Sequence, residues 1–169
     1  MEERAERRST RLRGFDYGRA GAYFVTVCTH ERACILGEVK GDAVEPSWMG
    51  EIVQRCWDEI PAHYPTVEAD AVIVMPNHLH GLLFFSAPVG ATHASPGSPK
   101  LGSVVGSFKA AASAQINRQR ETPGAPIWQR GFHEHVVRGD DDLSRIRRYI
   151  ADNPAAWALD RENPLAWRG

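Results

Sequence analysis

The chain has 169 residues and a formal net charge of −1, from 20 Lys and Arg against 21 Asp and Glu. This length suits one domain with a short appendage; 43% of residues are hydrophobic and 24% charged, as in soluble globular proteins, and no apolar run reaches the roughly 18 residues of a membrane span. Cys28, Cys34 and Cys56 show no Cys-x-x-Cys spacing, which argues against a disulfide scaffold or cysteine zinc cluster and for a reducing cytoplasm, and the near-zero charge, taken alone, argues against a nucleic-acid partner.

In chain order, Met1–Gly21 carries six Arg and four acidic residues. It reads as a basic arm, and Met1–Arg13 lacks the apolar core of a secretory signal. Ala22–Cys28 is β-branched and aromatic and predicts a strand. A loop with Gly37, Gly41 and Pro46 follows. Met49, Ile52, Val53, Cys56, Trp57 and Ile60 make one helical stripe, ended by Pro61. Val67–Met75 is a second strand, Pro76-Asn77 a turn, and His78–Phe85 a third strand, apolar on both faces after its histidines and therefore central. Ser86–Pro99, rich in Pro, Gly, Ser and Ala, reads as a mobile loop. Leu101–Arg118 is a helix with Leu101, Val105, Phe108, Ala112 and Ile116 on one face. A fourth strand lies near Phe132–Arg138. Asp140–Asp142 suit the N-terminus of a last helix, which Asn153-Pro154 stops. The first six elements are β-α-β-β-α-β. This is the ferredoxin-like split βαβ pattern, an α+β fold with an antiparallel sheet and two helices on one face. The last helix is an addition with no evident place in the core.

Charge is unevenly spread. Residues 22–70 hold three basic and nine acidic residues, 71–99 hold none of either, and 100–150 hold nine basic and five acidic. Such polarisation is compatible with a nucleic-acid face and an acidic outer face.

His78-Leu79-His80 is the first chemical constellation. Alternate strand residues share a face, so both imidazoles point one way with the spacing to grip one ion. The alternative is two buried or hydrogen-bonded histidines. The pair opens its strand at a sheet end, and its neighbours carry no competing charge. His133-Glu134-His135 reads as a partly exposed strand, with His135 near a polar site. On the last helix Leu143, Ile146 and Ile150 form the apolar stripe, and Tyr149 lies about 90° from its centre at 100° per residue. A border tyrosine is ordinarily an amphipathic packing residue. Asn153 follows at i+4, and Pro154 biases it away from the α region, leaving its side chain at the helix end. Polyanion contacts are available from Lys109 and Arg118, from Arg130, from Arg145, Arg147 and Arg148 beside Tyr149, and from Arg4, Arg7, Arg8, Arg11 and Arg13 in the arm. Trp128 either stacks on a base or lids the core.

The run Val74-Met75-Pro76-Asn77-His78-Leu79-His80-Gly81 resembles the metal-binding motif of single-tyrosine HUH transposases. Tyr17–Thr26, Ser107-Phe108-Lys109, Ile127–Arg138 and Arg148–Pro154 resemble the REP-associated tyrosine transposase branch, in chain order and over about Arg11 to Trp157. The resemblance implies an arm over residues 1–21, a transposase domain over 22–157 and a tail over 158–169. By the same resemblance His78 and His80 are metal ligands, Tyr149 is the nucleophile, and Asn153 takes the third-ligand position, where the wider class has Gln. The last helix then carries Tyr149 to the histidines. The implied partner is single-stranded DNA with a palindromic hairpin, and Arg4–Arg19 either reads bases beside it or is a non-specific tail.

A phenol with an ordinary pKa of about 10 is a poor nucleophile near neutrality. Attack on a phosphodiester therefore needs a divalent ion, Mg²⁺ or Mn²⁺, to polarise the phosphate. Imidazole is softer than Mg²⁺ prefers, so weak Mg²⁺ binding and Mn²⁺ competence are expected. The alternatives are a non-catalytic hairpin-binding protein of the same fold, or a metal hydrolase using His78, His80, His133 and His135. A cytoplasmic, nucleoid-associated monomer is expected.

Overall fold

Side-chain alternation gives the central sheet two working faces. In this computed structural model, which describes residues 20–86, 98–161 and 163–164, strands β1 (Gly21–Cys28), β4 (Val67–Met75), β5 (His78–Phe85) and β6 (His133–Val136) form one sheet in the order β4-β5-β1-β6. Every pairing is antiparallel. This is the expected ferredoxin-like order, with β5 central as its apolar composition requires. Residues 1–19 and 87–97, which hold the basic arm and most of the Ser86–Pro99 segment, lie outside the described residues.

Tyr23, Val25 and Val27 of β1 and Leu79, Leu83 and Phe85 of β5 point to one side. There they pack on α1 (Trp48–Asp58) and α3 (Leu101–Arg120). Helix α1 starts at Ser47, whose Oγ accepts from the Gly50 N–H at 3.1 Å, a standard N-cap. It stops at Asp58, two residues before the predicted end. Pro61 lies in the first turn of a separate short helix, α2 (Ile60–His63), because proline lacks only a donor that a first turn leaves unused. Helix α3 runs two residues past its predicted end and is closed by Glu121 in the left-handed region (φ 56°).

The predicted loop around Gly37–Pro46 is a hairpin, β2 (Gly37–Lys40) and β3 (Ala43–Pro46). Gly41 has φ +66° and forms with Asp42 the two-residue turn that such short strands need. A groove of about 440 Å³ opens between this hairpin and α1, with Glu51, Asp58 and Glu59 on its wall; it contains no predicted site residue.

The other sheet face carries Phe24, His78, His80, Leu82 and Phe84. Helix α4 (Gly139–Asp152) covers it, burying Ile146 and Ile150 against Leu82, Phe24 and Ile73. The helix thus closes a second apolar layer. Arg147 bonds Asp70 twice (3.0 and 2.7 Å) at the irregularity between Ala69 and Val72 of β4. The paired Arg147 guanidinium holds the Asp70 carboxyl below the usual carboxylate range. Among the described residues no helix is long and apolar enough to cross a membrane.

Gly81 lets α1 approach the sheet. A Cβ there would lie 2.2 Å from Cζ2 of the fully buried Trp57. Gly81→Ala should therefore destabilise the chain by about 1–3 kcal/mol, read as a lower urea midpoint, and Trp57→Phe should recover part of the loss. An unchanged midpoint would contradict this packing.

Candidate nucleic-acid processing site

The two-residue period of β5 sends His78 and His80 to the α4 face. His78 is 0% exposed and His80 5%, with ring centroids 4.5 Å apart. His80 lies between Phe24 (5.3 Å, stacked) and Tyr149 of α4 (5.3 Å, edge-on). Its Nδ1 is hydrogen-bonded to Thr26 Oγ1 at 2.8 Å, on the adjacent strand in register. His78 Nδ1 is 2.9 Å from Asn77 Oδ1, and the Trp157 ring lies 6.0 Å from the His78 ring. Tyr149 is half exposed (50%), so its ring meets His80 while its edge faces solvent.

Burial lowers both imidazoles' pKa, His78 to about 4 and His80 to about 3. For His78 the Asp160 carboxylate and the Asn153 amide work against burial, whereas Arg32 reinforces it. For His80 the neighbouring His78 adds to burial. Both are neutral near pH 7, the form that offers a nitrogen lone pair.

Asn153 is 3% exposed and closes the site. Its backbone is helical (φ −58°, ψ −42°), against the expectation set by Pro154. The chain continues turning here: Ala156 N–H bonds the carbonyls of Asp152 and Asn153 at 3.2 Å, which offsets the steric bias before proline. Among the described residues, His78 Nε2 and Asn153 Oδ1 are buried and make no hydrogen bond of good geometry, although the Asn153 amide lies close enough to His78 to act on its pKa. Two unsatisfied lone-pair atoms in one buried site fit a cation. No group of three or more His, Cys, Asp or Glu is suitably gathered among the described residues, so an ion here would rely on two imidazoles and the amide oxygen.

The other predicted residues divide. Arg145 and Arg148 are exposed on α4 beside Tyr149, with Arg145 also 3.3 Å from Asp142. Arg130 is exposed in the segment joined to β1 through the Gln129 N–H to Cys28 carbonyl bond (2.9 Å), at the His78 end of the sheet. Arg118 lies on α3, on the opposite side of the sheet from the histidines. Lys109 is spent internally: its ammonium donates to the carbonyls of Gln129 and Gly131, both at 2.8 Å, which positions the Arg130 segment. Trp128 is a core residue, 8% exposed, packed on Phe108 with its indole N–H on the Lys109 carbonyl; it has no free face for a base. Arg4, Arg7, Arg8, Arg11 and Arg13 lie outside the described residues. His133 and His135 share the α4 face through register with Thr26 and Phe24 but do not gather with His78 and His80 into a metal cluster, and His135 bonds Asp142 at 2.8 Å. That removes the four-histidine hydrolase.

The sequence reading passed over Thr26, Asn77, Trp157 and Asp160. Asn77 stood directly before His78 in a turn. Thr26 needed the strand register, and Trp157 and Asp160 needed the turn after Asn153.

The structure brings a histidine pair and a helix-borne tyrosine together on a split βαβ sheet. The chain is 31% identical over 167 residues to a Haemophilus influenzae protein of unassigned function, covering 92% of each. It is 25% identical over 143 residues to a second H. influenzae protein, provisionally assigned as a REP-associated tyrosine transposase, covering 82% of this chain and 73% of that one. Its fold matches the solved structure of a REP-associated tyrosine transposase bound to a REP hairpin, with TM-score 0.60 and 21% identity over 86% of this chain and 72% of that chain. A Deinococcus radiodurans protein provisionally assigned as a transposase matches with TM-score 0.50 and 16% identity, over 83% and 94%. No known family model matches the chain. In sequence and in fold the chain is thus similar to REP-associated tyrosine transposases.

The buried histidines set an acid limit. Unfolded, each imidazole takes up a proton near pH 6.5; folded, it does so only near pH 4 or 3. The unfolded state binds more protons between these values, so stability falls as pH drops below about 6.5 and is level above it. The urea midpoint should be clearly lower at pH 5 than at pH 7.5, and a His78→Gln/His80→Gln variant should lose most of that difference. A wild-type midpoint equal at both values would contradict buried neutral imidazoles.

Proposed function

We propose that the protein is a metal-dependent single-stranded DNA endonuclease and strand transferase that acts at DNA hairpins through a 5′-phosphotyrosine intermediate. The observation that carries this is the Tyr149 ring 5.3 Å from His80, over a histidine pair whose neighbouring lone-pair atoms, His78 Nε2 and Asn153 Oδ1, are unsatisfied.

His78, His80 and Asn153 are assigned to hold the cation. When bound, a divalent ion supplies polarisation of a non-bridging phosphate oxygen. The chain's own residues do the rest. Tyr149 Oη bonds to phosphorus as the bond to the 3′-oxygen breaks. The tyrosine proton passes to solvent, and the leaving strand takes up a proton as a 3′-OH. One phosphodiester replaces another, so an incoming 3′-OH can reverse the step and join strands without ATP. Phe24 and His80 fix the ring's approach, and Ile146 and Ile150 anchor the helix that presents it. Arg130, Arg145 and Arg148 are assigned to the DNA backbone, which they can neutralise without reading sequence. One chain supplies both the tyrosine and the histidines, in keeping with action as a monomer.

Labelled single-stranded hairpin DNA incubated with protein and Mn²⁺ should give a denaturation-resistant adduct. Tyr149→Phe should abolish it, and His78→Ala or His80→Ala should reduce it by at least about 100-fold, the scale of losing positioned electrostatic stabilisation. Hairpin binding without an adduct under any divalent ion would favour the non-catalytic binding protein. Strand cleavage unaffected by Tyr149→Phe would overturn the phosphotyrosine route.

A further inference from the structure

Hydrogen-bond roles at Asn77 can be assigned from groups that have only one role. Asn77 is 1% exposed. Its Nδ2 lies 3.3 Å from the Arg32 carbonyl oxygen. A carbonyl only accepts, so the amide must present its NH₂ to Arg32. The amide oxygen must then face His78, where Oδ1 lies 2.9 Å from Nδ1. That oxygen also only accepts, so His78 Nδ1 must carry the hydrogen. In a neutral imidazole the other nitrogen is then an unprotonated lone pair. That nitrogen, Nε2, is buried and makes no hydrogen bond of good geometry, with the Asn153 amide as its neighbour.

From this chain of roles we infer that the Arg32 carbonyl, acting through Asn77, sets the tautomer of His78 and keeps its Nε2 lone pair ready for a ligand. Arg32 and Asn77 are positioning residues, and what Arg32 contributes is its backbone oxygen. The turn His30–Arg32 is shaped for this task. Glu31 and Arg32 both adopt positive φ, 53° and 55°, a conformation that L side chains rarely take. The turn is pinned from the same side: Thr29 N–H and Thr29 Oγ1 donate to the Asn77 carbonyl at 2.9 and 3.0 Å, and Leu36 N–H donates to the Pro76 carbonyl at 2.9 Å. Thr29 is wholly buried. These bonds hold two non-consecutive segments in one arrangement, and reversing the Asn77 amide there would set its oxygen against the Arg32 carbonyl oxygen. His80 differs. Its Nδ1 partner is a hydroxyl, which can donate or accept, so nothing similar dictates its tautomer. The consequence for cation binding rests on the function proposed above; the tautomer does not.

The test is long-range ¹H–¹⁵N correlation NMR on the metal-free, ¹⁵N-histidine-labelled full chain near pH 7.5. His78 should show a protonated Nδ1 and a bare Nε2. Asn77→Leu, which removes the acceptor, should move the hydrogen to Nε2, while Asn77→Asp, which keeps an acceptor, should leave it on Nδ1. Protonated Nε2 in the wild type, or an Asn77→Leu spectrum that keeps the hydrogen on Nδ1, would overturn the relay. The wild-type spectrum decides the matter even if a variant does not fold. In parallel, Mn²⁺ titration followed by electron paramagnetic resonance should show affinity lowered about 10- to 100-fold in Asn77→Leu, as for loss of a group that orients a ligand histidine. Wild-type protein with the expected tautomer but no Mn²⁺ binding would support the relay and overturn the metal site of the proposed function.

Discussion

Taking two imidazoles out of water is expensive, and the surroundings of His78 and His80 answer that cost. Buried polar groups are tolerated when hydrogen-bonded and penalised when not. Here one nitrogen of each ring is satisfied, by Asn77 and by Thr26. The charged form is suppressed instead of paired. What is left over is His78 Nε2 and the Asn153 amide oxygen, both buried and without a hydrogen bond of good geometry. An apolar site of this kind gains most from a ligand that is positive and small. Stability and readiness to bind therefore pull against each other at the same atoms, as is common where function is stored in a fold.

The sheet makes this possible by keeping its faces separate. Odd-numbered residues of β1 and β5 belong to the core under α1 and α3, and even-numbered residues belong to the layer under α4. A shift of one residue in β5 would exchange Leu79 for the histidines and destroy both layers. Gly81 secures the core side by admitting Trp57. Helix α4 is held by apolar contacts along its length, by Asp142 bonded to His135 near one end, and by Arg147 bonded to Asp70 farther along. Tyr149 comes two residues after Arg147, so the helix's seating sets where the phenol lies.

Much of this was legible in the sequence, for reasons that can be named. β-Branched runs and the element order specify the sheet, because period-two burial is written directly into β1, β4 and β5. The His-x-His spacing on one strand guarantees a shared face. The hairpin at Gly37–Pro46 was also signalled, by a Gly-Asp pair between two short runs, but four-residue strands offer too little periodicity to stand out. The second core layer was hidden because Leu143, Ile146 and Ile150 name an apolar stripe without naming what covers it. Trp128 and Lys109 have partners inside the chain that a residue type does not reveal: the indole is held by Phe108 and the Lys109 carbonyl, and the ammonium by two carbonyls. Asn153 departed from the proline rule because later turn bonds outweigh a local bias.

The net charge of −1 does not describe the surroundings of the site: α4 carries Asp140, Asp141, Asp142 and Asp152 as well as Arg145, Arg147 and Arg148, but Arg145 and Arg148 flank Tyr149, and the acids gather at the two ends of the helix. A total near zero is thus compatible with a locally basic approach to the site, and it leaves selectivity to shape and to the site itself. The central claim is that the two imidazoles and the Asn153 amide oxygen form a cation site beneath Tyr149. Anomalous diffraction from crystals of the protein soaked in Mn²⁺ tests it most directly. An ordered ion within about 2.5 Å of His78 Nε2, His80 and Asn153 Oδ1 is the expected result; Mn²⁺ found only at solvent-exposed carboxylates, with none at the histidines, would contradict it.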